Sequence, residues 1–258
     1  FLPFSYDYRG RAYPIPSFLT PQDTDFGKSL LISDKGALIT DEGKDWLSFS
    51  VATCFGLAKA SWQERIDWCA DGINRELIKR VATDPLGNIG DWENVDEPWQ
   101  FLASCEEWYA IHTGKRVHTH LFVATDATQS GLQILSGMCR CKSTAQMVNV
   151  IGSDRPQDAY KVVANHSSNE IPERLRPYWD RKATKRCVMV IPYNARPYSN
   201  RTYIREAFKD KDIKVDKDEV TQCVKAVRSA MDEIFPGPMR VMRWIETEVG
   251  QAIKNGAN

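Results

Sequence analysis

The sequence predicts a predominantly helical α+β protein, and three features support this fold class. Apolar residues recur at intervals of three and four in several segments, most clearly over residues 218–235 and 239–254. One run, His-Thr-His-Leu-Phe-Val-Ala-Thr-Asp at residues 118–126, has the composition of a short β-strand. Hydrophobic residues make up 42% and charged residues 26% of the 258 residues, a balance typical of a folded globular chain.

The first half of the chain is predicted to begin with loops and to continue with helices. Within residues 1–40, prolines at positions 3, 14, 16 and 21 interrupt any long element. The acidic, glycine-containing segment after Pro85 is predicted to be a loop. Helices are predicted over residues 40–56, from a capping-type Thr-Asp to Gly56, over 61–82, and over 98–113, with Gly114 as the stop.

In the second half, the strand at residues 118–126 leads through a turn at 127–131 into a predicted helix at 132–143. A strand that delivers a carboxylate, here Asp126, into a turn before a helix is a common way to present a catalytic group. Pro172 and Pro177 interrupt the chain further on. The remaining predicted helices cover residues 158–168, the stretch that begins at Asp180, and residues 218–235 and 239–254.

The 34 basic and 34 acidic residues give no net charge, but they are unevenly distributed. Residues 84–107 hold seven acidic residues and no Lys or Arg, whereas residues 171–211 hold eleven basic residues against four acidic ones. The zero net charge of the whole chain is therefore compatible with a polyanionic ligand, and the basic segment is a candidate binding region for one.

Other bulk features favour a reducing compartment and no membrane span. The longest apolar runs are a few residues, far short of the roughly 20 that a spanning helix needs. The seven cysteines include only one close pair, Cys139 and Cys141, so reduced thiols in a cytoplasm-like compartment are expected. The chain opens without Met or a signal-like segment and stops just after a helical pattern. Both ends suggest one part of a longer or split protein.

The stretch Asp-Arg-Lys-Ala-Thr-Lys-Arg-Cys-Val-Met-Val-Ile-Pro-Tyr, residues 180–193, concentrates positive charge on one short element. In a helix, Arg181, Lys185 and Met189 lie on one face, and Tyr193 is next along it. Two cations one turn apart can bind a triphosphate, while the aromatic ring can contact the base or sugar of the same molecule. The less specific interpretation is a solvated basic face.

Three motifs carry a resemblance to a known family. Residues 180–194, DRKATKRCVMVIPYN, resemble the fingers-helix motif of polymerases related to the single-subunit phage and mitochondrial RNA polymerases. Residues 123–133, VATDATQSGLQ, resemble the palm motif of that family, in which an Asp ends a strand and holds metal. Residues 7–11, DYRGR, are similar to its Asp-x-x-Gly-Arg element, which contacts the template–RNA hybrid.

The resemblance implies a partial right-hand polymerase fold, with part of the palm and the fingers. Residues 1–40 would be the N-terminal part of the palm and 41–116 a helical palm insertion. Residues 117–145 would be the palm strand, turn and helix with the catalytic Asp, and 146–258 the fingers.

The same resemblance implies DNA-directed RNA synthesis, in which an RNA 3′-hydroxyl attacks an NTP between two Mg²⁺ ions held by carboxylates. It assigns Asp126 and the carbonyl of Ala127 to metal. Arg181 and Lys185 would hold the triphosphate, Met189 would contact the NTP, and Tyr193 would recognise the sugar, with Lys185 and Tyr193 also counted as catalytic. The implied nucleic-acid contacts are Arg9, Arg11, Lys28 and Arg186.

The second carboxylate of the family lies in a His-Asp-Ser hairpin, and no such sequence occurs here. We therefore expect the chain to be inactive alone. It would need the remainder of the polymerase, as the same longer chain or a second subunit, together with DNA template, RNA product and NTPs. The resemblance implies a phage-infected bacterial cytoplasm or an organellar matrix as its location.

A DNA polymerase of the same superfamily is an alternative, because it shares the Arg, Lys and Tyr spacing. Such enzymes carry a bulky Glu five residues after the metal-binding Asp, where it blocks a 2′-hydroxyl. Here this position is Gly131, which leaves room for that hydroxyl; Gly131 is therefore counted among the NTP-binding residues and favours RNA synthesis. The less favoured interpretations are that Gly131 only serves a tight strand-to-helix turn and that Tyr193 only caps a core. Asn194 stands where the family usually has Gly, and Pro192 would kink the helix just before Tyr193.

The sequence also bears on four other functions. A catalytically incomplete nucleic-acid-binding module would use the same basic residues as the polymerase, and its binding would survive the loss of Asp126. A hydrolase site built from His118, His120 and Asp126 would need a metal to span about 20 Å of strand. The Gly-Lys-Ser at 27–29 lacks the upstream Gly of a nucleotide-binding loop. Cys139 and Cys141 lack a second ligand pair for zinc.

Overall fold

A computed structural model of the chain describes residues 2–8 and 10–256. It is predominantly helical with two small antiparallel sheets, as the sequence predicts. The chain divides into two compact units, residues 1–126 and 127–258, and the division falls within the predicted segment 117–145.

The first unit contains both sheets and five helices in its described part. Its strands are β1 (Phe4–Tyr6), β2 (Ala12–Pro14), β3 (Ile32–Leu38) and β4 (His118–Leu121), and its helices are α1 (Asp25–Ser29), α2 (Asp41–Ala52), α3 (Trp62–Ala70), α4 (Gly72–Thr83) and α5 (Pro98–His112). A π-helical turn, Thr53–Leu57, follows α2, and a 3₁₀ turn, Ile89–Asp91, precedes α5. β1 pairs with β2, and β3 pairs with β4.

The core of the first unit lies among α2, α4 and α5, where Leu47, Ile78 and Phe101 are almost fully buried. Buried polar groups within it are satisfied: Trp108 Nε1 donates to Ser48 Oγ at 2.8 Å, and the hydroxyls of Ser50 and Ser104 are 3.1 Å apart. The core therefore holds α5 against α2 and positions β4, which follows it.

Two predicted elements of this unit are shorter than expected. The helix predicted over 61–82 is two helices, because the extended Asp71 ends α3 and its carboxylate accepts hydrogen bonds from the first N–H groups of α4. The strand predicted over 118–126 ends at Leu121. β3 offers pairing partners only to residues 118–121, so Asp126 follows the strand by five residues instead of ending it.

The second unit is all-helical in its described part. Its helices are α6 (Ser130–Cys139), α7 (Lys142–Met147), α8 (Ala159–Ser167), α9 (Arg181–Val190), α10 (Pro197–Lys209), α11 (Lys217–Ile234) and α12 (Pro236–Lys254). Two 3₁₀ turns, Glu173–Tyr178 and Ile191–Tyr193, flank α9. The predicted helix over 132–143 starts earlier, at Ser130, and is broken by left-handed Arg140 into α6 and α7.

The core of the second unit is built around α9 and α11. α9 packs against α8 and α10, and α11 packs against α8 and α10, with Cys187, Phe208 and Val220 fully buried between them. Of the helices in the described part of the whole chain, none combines the length and apolarity that crossing a lipid bilayer requires.

Candidate functional site

The basic helix α9 begins where the sequence predicts. Asp180 caps it by accepting a hydrogen bond from the Ala183 N–H at 3.0 Å, and its other carboxylate oxygen pairs with Lys211 Nζ at 2.8 Å. Burial acts to raise the pKa of Asp180, but the hydrogen bonds from Lys211 and the helix N–H groups outweigh it, so the pKa lies below its usual value. The cap is therefore ionised and compatible with the positive helix start.

One face of α9 is buried and the other carries the predicted residues. Ala183, Thr184, Cys187 and Val188 are buried in the core, whereas Lys185 and Met189 are exposed. Tyr193 follows in the 3₁₀ turn and is 60% exposed. The predicted row assumed a helix through Tyr193, but α9 ends at Val190, so Tyr193 lies beyond the helix in the following turn. Its exposure does not fit a residue that only caps a core.

The two cations predicted to bind a triphosphate differ in their surroundings. Arg181 is half-buried; its Nε donates to Asp158 Oδ2 at 2.5 Å, and its guanidinium lies 5.2 Å from the ring centre of Tyr160. Lys185 is exposed and has no ion-pair partner among residues 2–8 and 10–256. Lys185 is therefore the more available cation, and Arg181 is the more rigidly held one.

The ring of Tyr160 lies against the Arg181 guanidinium, and burial is the main influence on the pKa of its phenol. It raises the pKa of the phenol above its usual value, and the nearby Arg181 charge opposes this shift. The Tyr160 hydroxyl donates to the carbonyl of Thr128 at 3.3 Å. Tyr160 therefore stays neutral near pH 7 and links α8 to the turn that precedes α6.

Tyr193 is held over the start of α6. Its hydroxyl lies 3.2 Å from Ser130 Oγ, and a Cβ added at Gly131 would lie 3.2 Å from the Cζ and Cε2 atoms of the ring and 3.0 Å from Pro192 Cβ. The space above Gly131 is thus occupied by the Tyr193 ring. Asn194 adopts the left-handed conformation with φ 62°, which ends the helical path as its tolerance of that region predicts.

Side-chain hydrogen bonds fix the turn that carries Ser130 and Gly131. Gln133 Nε2 donates to the Val148 carbonyl at 2.8 Å, and Asn149 Nδ2 donates to Thr128 Oγ1 at 3.2 Å. Gln129, to which no prediction gave a role, is buried, and its Oε1 has no hydrogen-bond partner in the described part of the chain. Gln129 is polar and stands between two exposed residues with hydroxyl groups, so the sequence did not indicate that its side chain is buried.

The predicted metal ligands lie on either side of the division between the two units. Asp126 is the last residue of the first unit and Ala127 the first of the second, and both are exposed. Carboxylate and carbonyl oxygens are the donors that Mg²⁺ prefers. Among the residues that the structure describes, however, no three His, Cys, Asp or Glu side chains come together as a metal-binding group. Asp126 and Ala127 thus offer oxygen donors of the kind that Mg²⁺ takes, and they do not by themselves make a complete metal site.

The predicted nucleic-acid contacts differ in their local surroundings. Arg9 lies outside the described residues. Arg11 is exposed beside the β1–β2 turn, which Asp7 closes by accepting the Arg11 N–H at 3.0 Å. Lys28 is half-buried in α1, and Arg186 on α9 pairs with Glu206 of α10.

The alternative metal site at His118 and His120 has no support in the described residues. His120 Nδ1 lies 2.7 Å from the Ser33 carbonyl, across the β3–β4 pair. That contact occupies one ring nitrogen with a backbone partner, as in many structural histidines.

Comparisons with known proteins add to this geometry. A family model described as DNA-dependent RNA polymerase matches residues 38–257. The chain is 31% identical over 240 residues to T7 RNA polymerase of Escherichia phage T7, which covers 79% of this chain and 27% of that protein. It is 32% identical over 206 residues to the mitochondrial DNA-directed RNA polymerase of Neurospora crassa, covering 75% and 14% respectively. It is 27% identical over 271 residues to the mitochondrial DNA-directed RNA polymerase of Homo sapiens, covering 98% and 22%. The chain thus spans about a quarter or less of the length of these relatives.

Proposed function

The chain belongs to the DNA-dependent RNA polymerases of the phage and mitochondrial type, and from this premise we propose that it forms the part of such an enzyme that receives the incoming NTP. In this proposal residues 1–40 and 117–145 contribute to the palm, 41–116 is a helical insertion, and 146–258 forms the fingers. The observation that carries it is the placement of Arg181 and Lys185 one turn apart on α9, with Tyr193 exposed in the turn that follows the helix.

The proposed roles follow from the surroundings of each side chain. Lys185, exposed and without an ion-pair partner in the described residues, binds the terminal phosphates as a point charge. Arg181, which pairs with Asp158 in the absence of nucleotide, offsets negative charge that develops on the departing pyrophosphate. Met189 and Tyr193 contact the nucleoside portion, with Tyr193 at the sugar.

Asp126 and the Ala127 carbonyl are the proposed oxygen ligands of Mg²⁺. When bound, Mg²⁺ would stabilise charge on the attacking and leaving oxygens. One carboxylate does not complete such a site, so we propose that a second comes from the remainder of the polymerase. Arg11, Lys28 and Arg186 are proposed contacts to the template and RNA backbones, together with Arg9. The relatives come from phage and mitochondria, and a phage-infected cytoplasm or an organellar matrix is the proposed location.

Nucleotide binding is the first test. ATP is titrated calorimetrically, with Mg²⁺, into the chain and into Lys185→Ala. We expect Lys185→Ala to weaken ATP binding about tenfold or more, because a charge-assisted contact to phosphate is lost. Lys225→Ala is the matched control: Lys225 is also exposed, lies on α11, and is expected to leave ATP affinity unchanged. Equal loss in both variants would contradict a specific role of Lys185.

Catalysis is tested on a preassembled RNA–DNA scaffold with Mg²⁺ and NTPs. We expect extension only when a polypeptide that supplies the downstream palm is added, and we expect Asp126→Asn to abolish it. Extension by this chain alone would overturn the proposal that a carboxylate is missing. Scaffold binding without extension in either case would favour a nucleic-acid-binding module.

A further inference from the structure

The hydroxyl of Tyr193 is held by a residue to which no motif gives a role. Ser130 is the first residue of α6, and its Oγ lies 3.2 Å from the Tyr193 hydroxyl oxygen. Ser130 is exposed and Tyr193 is 60% exposed, so a ligand can reach both hydroxyls. The contact joins two segments that are far apart in sequence, and neither segment alone would indicate it.

The geometry fixes the phenol at more than one point. The edge of the Tyr193 ring that carries the hydroxyl packs on Gly131, and Pro192 closes the same space from the neighbouring position. Ser130 itself sits on a turn that is fixed by the hydrogen bonds of Gln133 and Asn149. The two hydroxyls are therefore held by rigid elements, which is the condition for a precise polar contact.

Either hydroxyl can donate in this contact, and the chemistry of the two groups favours one direction. A phenol is more acidic than an aliphatic hydroxyl and is the better donor of the two. When the phenol donates to Ser130 Oγ, the Tyr193 oxygen keeps its lone pairs as acceptors for a group on the open side. Such an acceptor receives a hydrogen bond from a ligand hydroxyl and gains nothing from a C–H bond.

We propose that Ser130 is a positioning residue for sugar selection: it takes the phenol proton of Tyr193, so that the phenol oxygen accepts a hydrogen bond from the 2′-hydroxyl of a ribonucleotide. This inference rests on the proposed function, which puts Tyr193 at the sugar. It extends that function because a pair of hydroxyls, and not Tyr193 alone, selects the sugar. Each hydroxyl has a defined role as hydrogen-bond donor or acceptor. A 2′-deoxyribonucleotide lacks the donor and leaves the acceptor unpaired.

The test compares the affinities of ATP and 2′-deoxyATP, each titrated calorimetrically with Mg²⁺ into the chain and its variants. The unaltered chain is expected to prefer ATP about tenfold, the value of one hydrogen bond. Ser130→Ala is expected to lower the affinity for ATP and to leave the affinity for 2′-deoxyATP unchanged, so that the preference for ATP falls to about twofold or less. Ser130→Thr restores a hydroxyl at the same position and is expected to keep the preference.

A double-mutant cycle separates this role from a structural one. Tyr193→Phe is expected to remove the preference, and Ser130→Ala combined with Tyr193→Phe is expected to lower it no further, because both changes break one interaction. The Gln129 backbone, not Ser130, occupies the cap position of α6, so Ser130→Ala is expected to unfold at the same temperature as the unaltered chain.

The outcomes distinguish this inference from the proposed function. If Lys185→Ala weakens ATP but Ser130→Ala leaves the ATP preference intact, or weakens both nucleotides equally, the role of Ser130 is wrong and the proposed function stands. If the unaltered chain binds neither nucleotide, the proposed function fails, and the role of Ser130 fails with it.

Discussion

Gly131 and Tyr193 approach each other so closely that a single Cβ at Gly131 would lie 3.2 Å from the carbon that bears the phenol hydroxyl. Contacts this short force a neighbour to move by a few tenths of an ångström. The glycine therefore does more than permit a turn, since it allows the ring of Tyr193 to rest against the start of α6.

Gly131→Ala is predicted to disturb the site more than the fold. Alanine favours a helix by about 1 kcal/mol over glycine, and this gain offsets the strain against Tyr193, so the free energy of unfolding should change by less than about 1 kcal/mol. Displacement of the ring should weaken ATP binding about threefold or more. Chemical denaturation and ATP titration measure the two effects.

Gly137→Ala is the matched control for that variant. Gly137 lies in the same helix, and a Cβ there would meet nothing within 4 Å. It should stabilise the chain by about 1 kcal/mol and leave ATP affinity unchanged. If both variants stabilise the chain equally and neither affects ATP, the Gly131–Tyr193 contact has no bearing on the site.

The local geometry of the site was predictable, and its long-range partners were not. Helical periodicity fixes which residues share a face, so the order of Arg181, Lys185 and Met189 along α9 could be predicted from spacing alone, whereas the end of the helix before Tyr193 could not. The contacts of Asp158 with Arg181 and of Ser130 with Tyr193 depend on how helices pack, which residue spacing does not encode.

Dependence on distant partners also explains why the sequence did not predict where some strands and helices end. The composition of residues 118–126 is strand-like throughout, yet β4 ends at Leu121 because the length of a strand depends on its partner. Asp71 breaks a continuous helical pattern because its side chain competes for backbone N–H groups. The palm and fingers assignment therefore remains a proposal that depends on the family, whereas the helical character follows from the residues.

Asp158 is predicted to restrain Arg181 as well as to cap α8. Its Oδ1 accepts from the Lys161 N–H at 3.3 Å, and its Oδ2 accepts from Arg181 Nε. Asp158→Asn keeps an oxygen for the cap but removes the charge, so Arg181 should bind triphosphate more freely and ATP affinity should rise about two- to fivefold. Asp158→Ala also loses the cap and should destabilise the chain by about 1 kcal/mol more than Asp158→Asn.

ATP titration and urea unfolding of the two Asp158 variants test this prediction. Weaker ATP binding by Asp158→Asn would contradict it, and would indicate that the Asp158 charge is needed to aim the guanidinium. Equal stability of the two variants would contradict the capping role.

Cys141 is predicted to be the most reactive thiol near neutral pH. Hydrogen bonds from the hydroxyls of Ser143 and Thr144 lower its pKa to about 7, whereas burial raises the pKa of Cys187 and Cys223 to about 12. The thiolate is the reactive form, so the rate of alkylation at Cys141 should rise between pH 6 and 8 and level off above that range. Mass spectrometry after brief treatment with iodoacetamide identifies the modified cysteine.

Ser143→Ala is the control for Cys141. Loss of the hydroxyl should raise the pKa of the thiol, so alkylation should slow at pH 7 and stay unchanged at pH 9.5. Equal slowing at both pH values would instead indicate altered access to the sulfur.

Asn194 ends the helical path after Tyr193 in a left-handed conformation, with φ 62° and ψ 31°, and its N–H donates to the Ile191 carbonyl at 2.9 Å. Glycine adopts this conformation without a Cβ penalty, whereas alanine pays about 1 kcal/mol or more. Asn194→Gly should therefore preserve or slightly raise the free energy of unfolding, and Asn194→Ala should lower it by about 1 kcal/mol. Both variants keep the backbone hydrogen bond, so denaturant unfolding reports the conformational preference alone. If Asn194→Gly proves less stable than Asn194→Ala, backbone conformation is not what selects the residue that follows Tyr193.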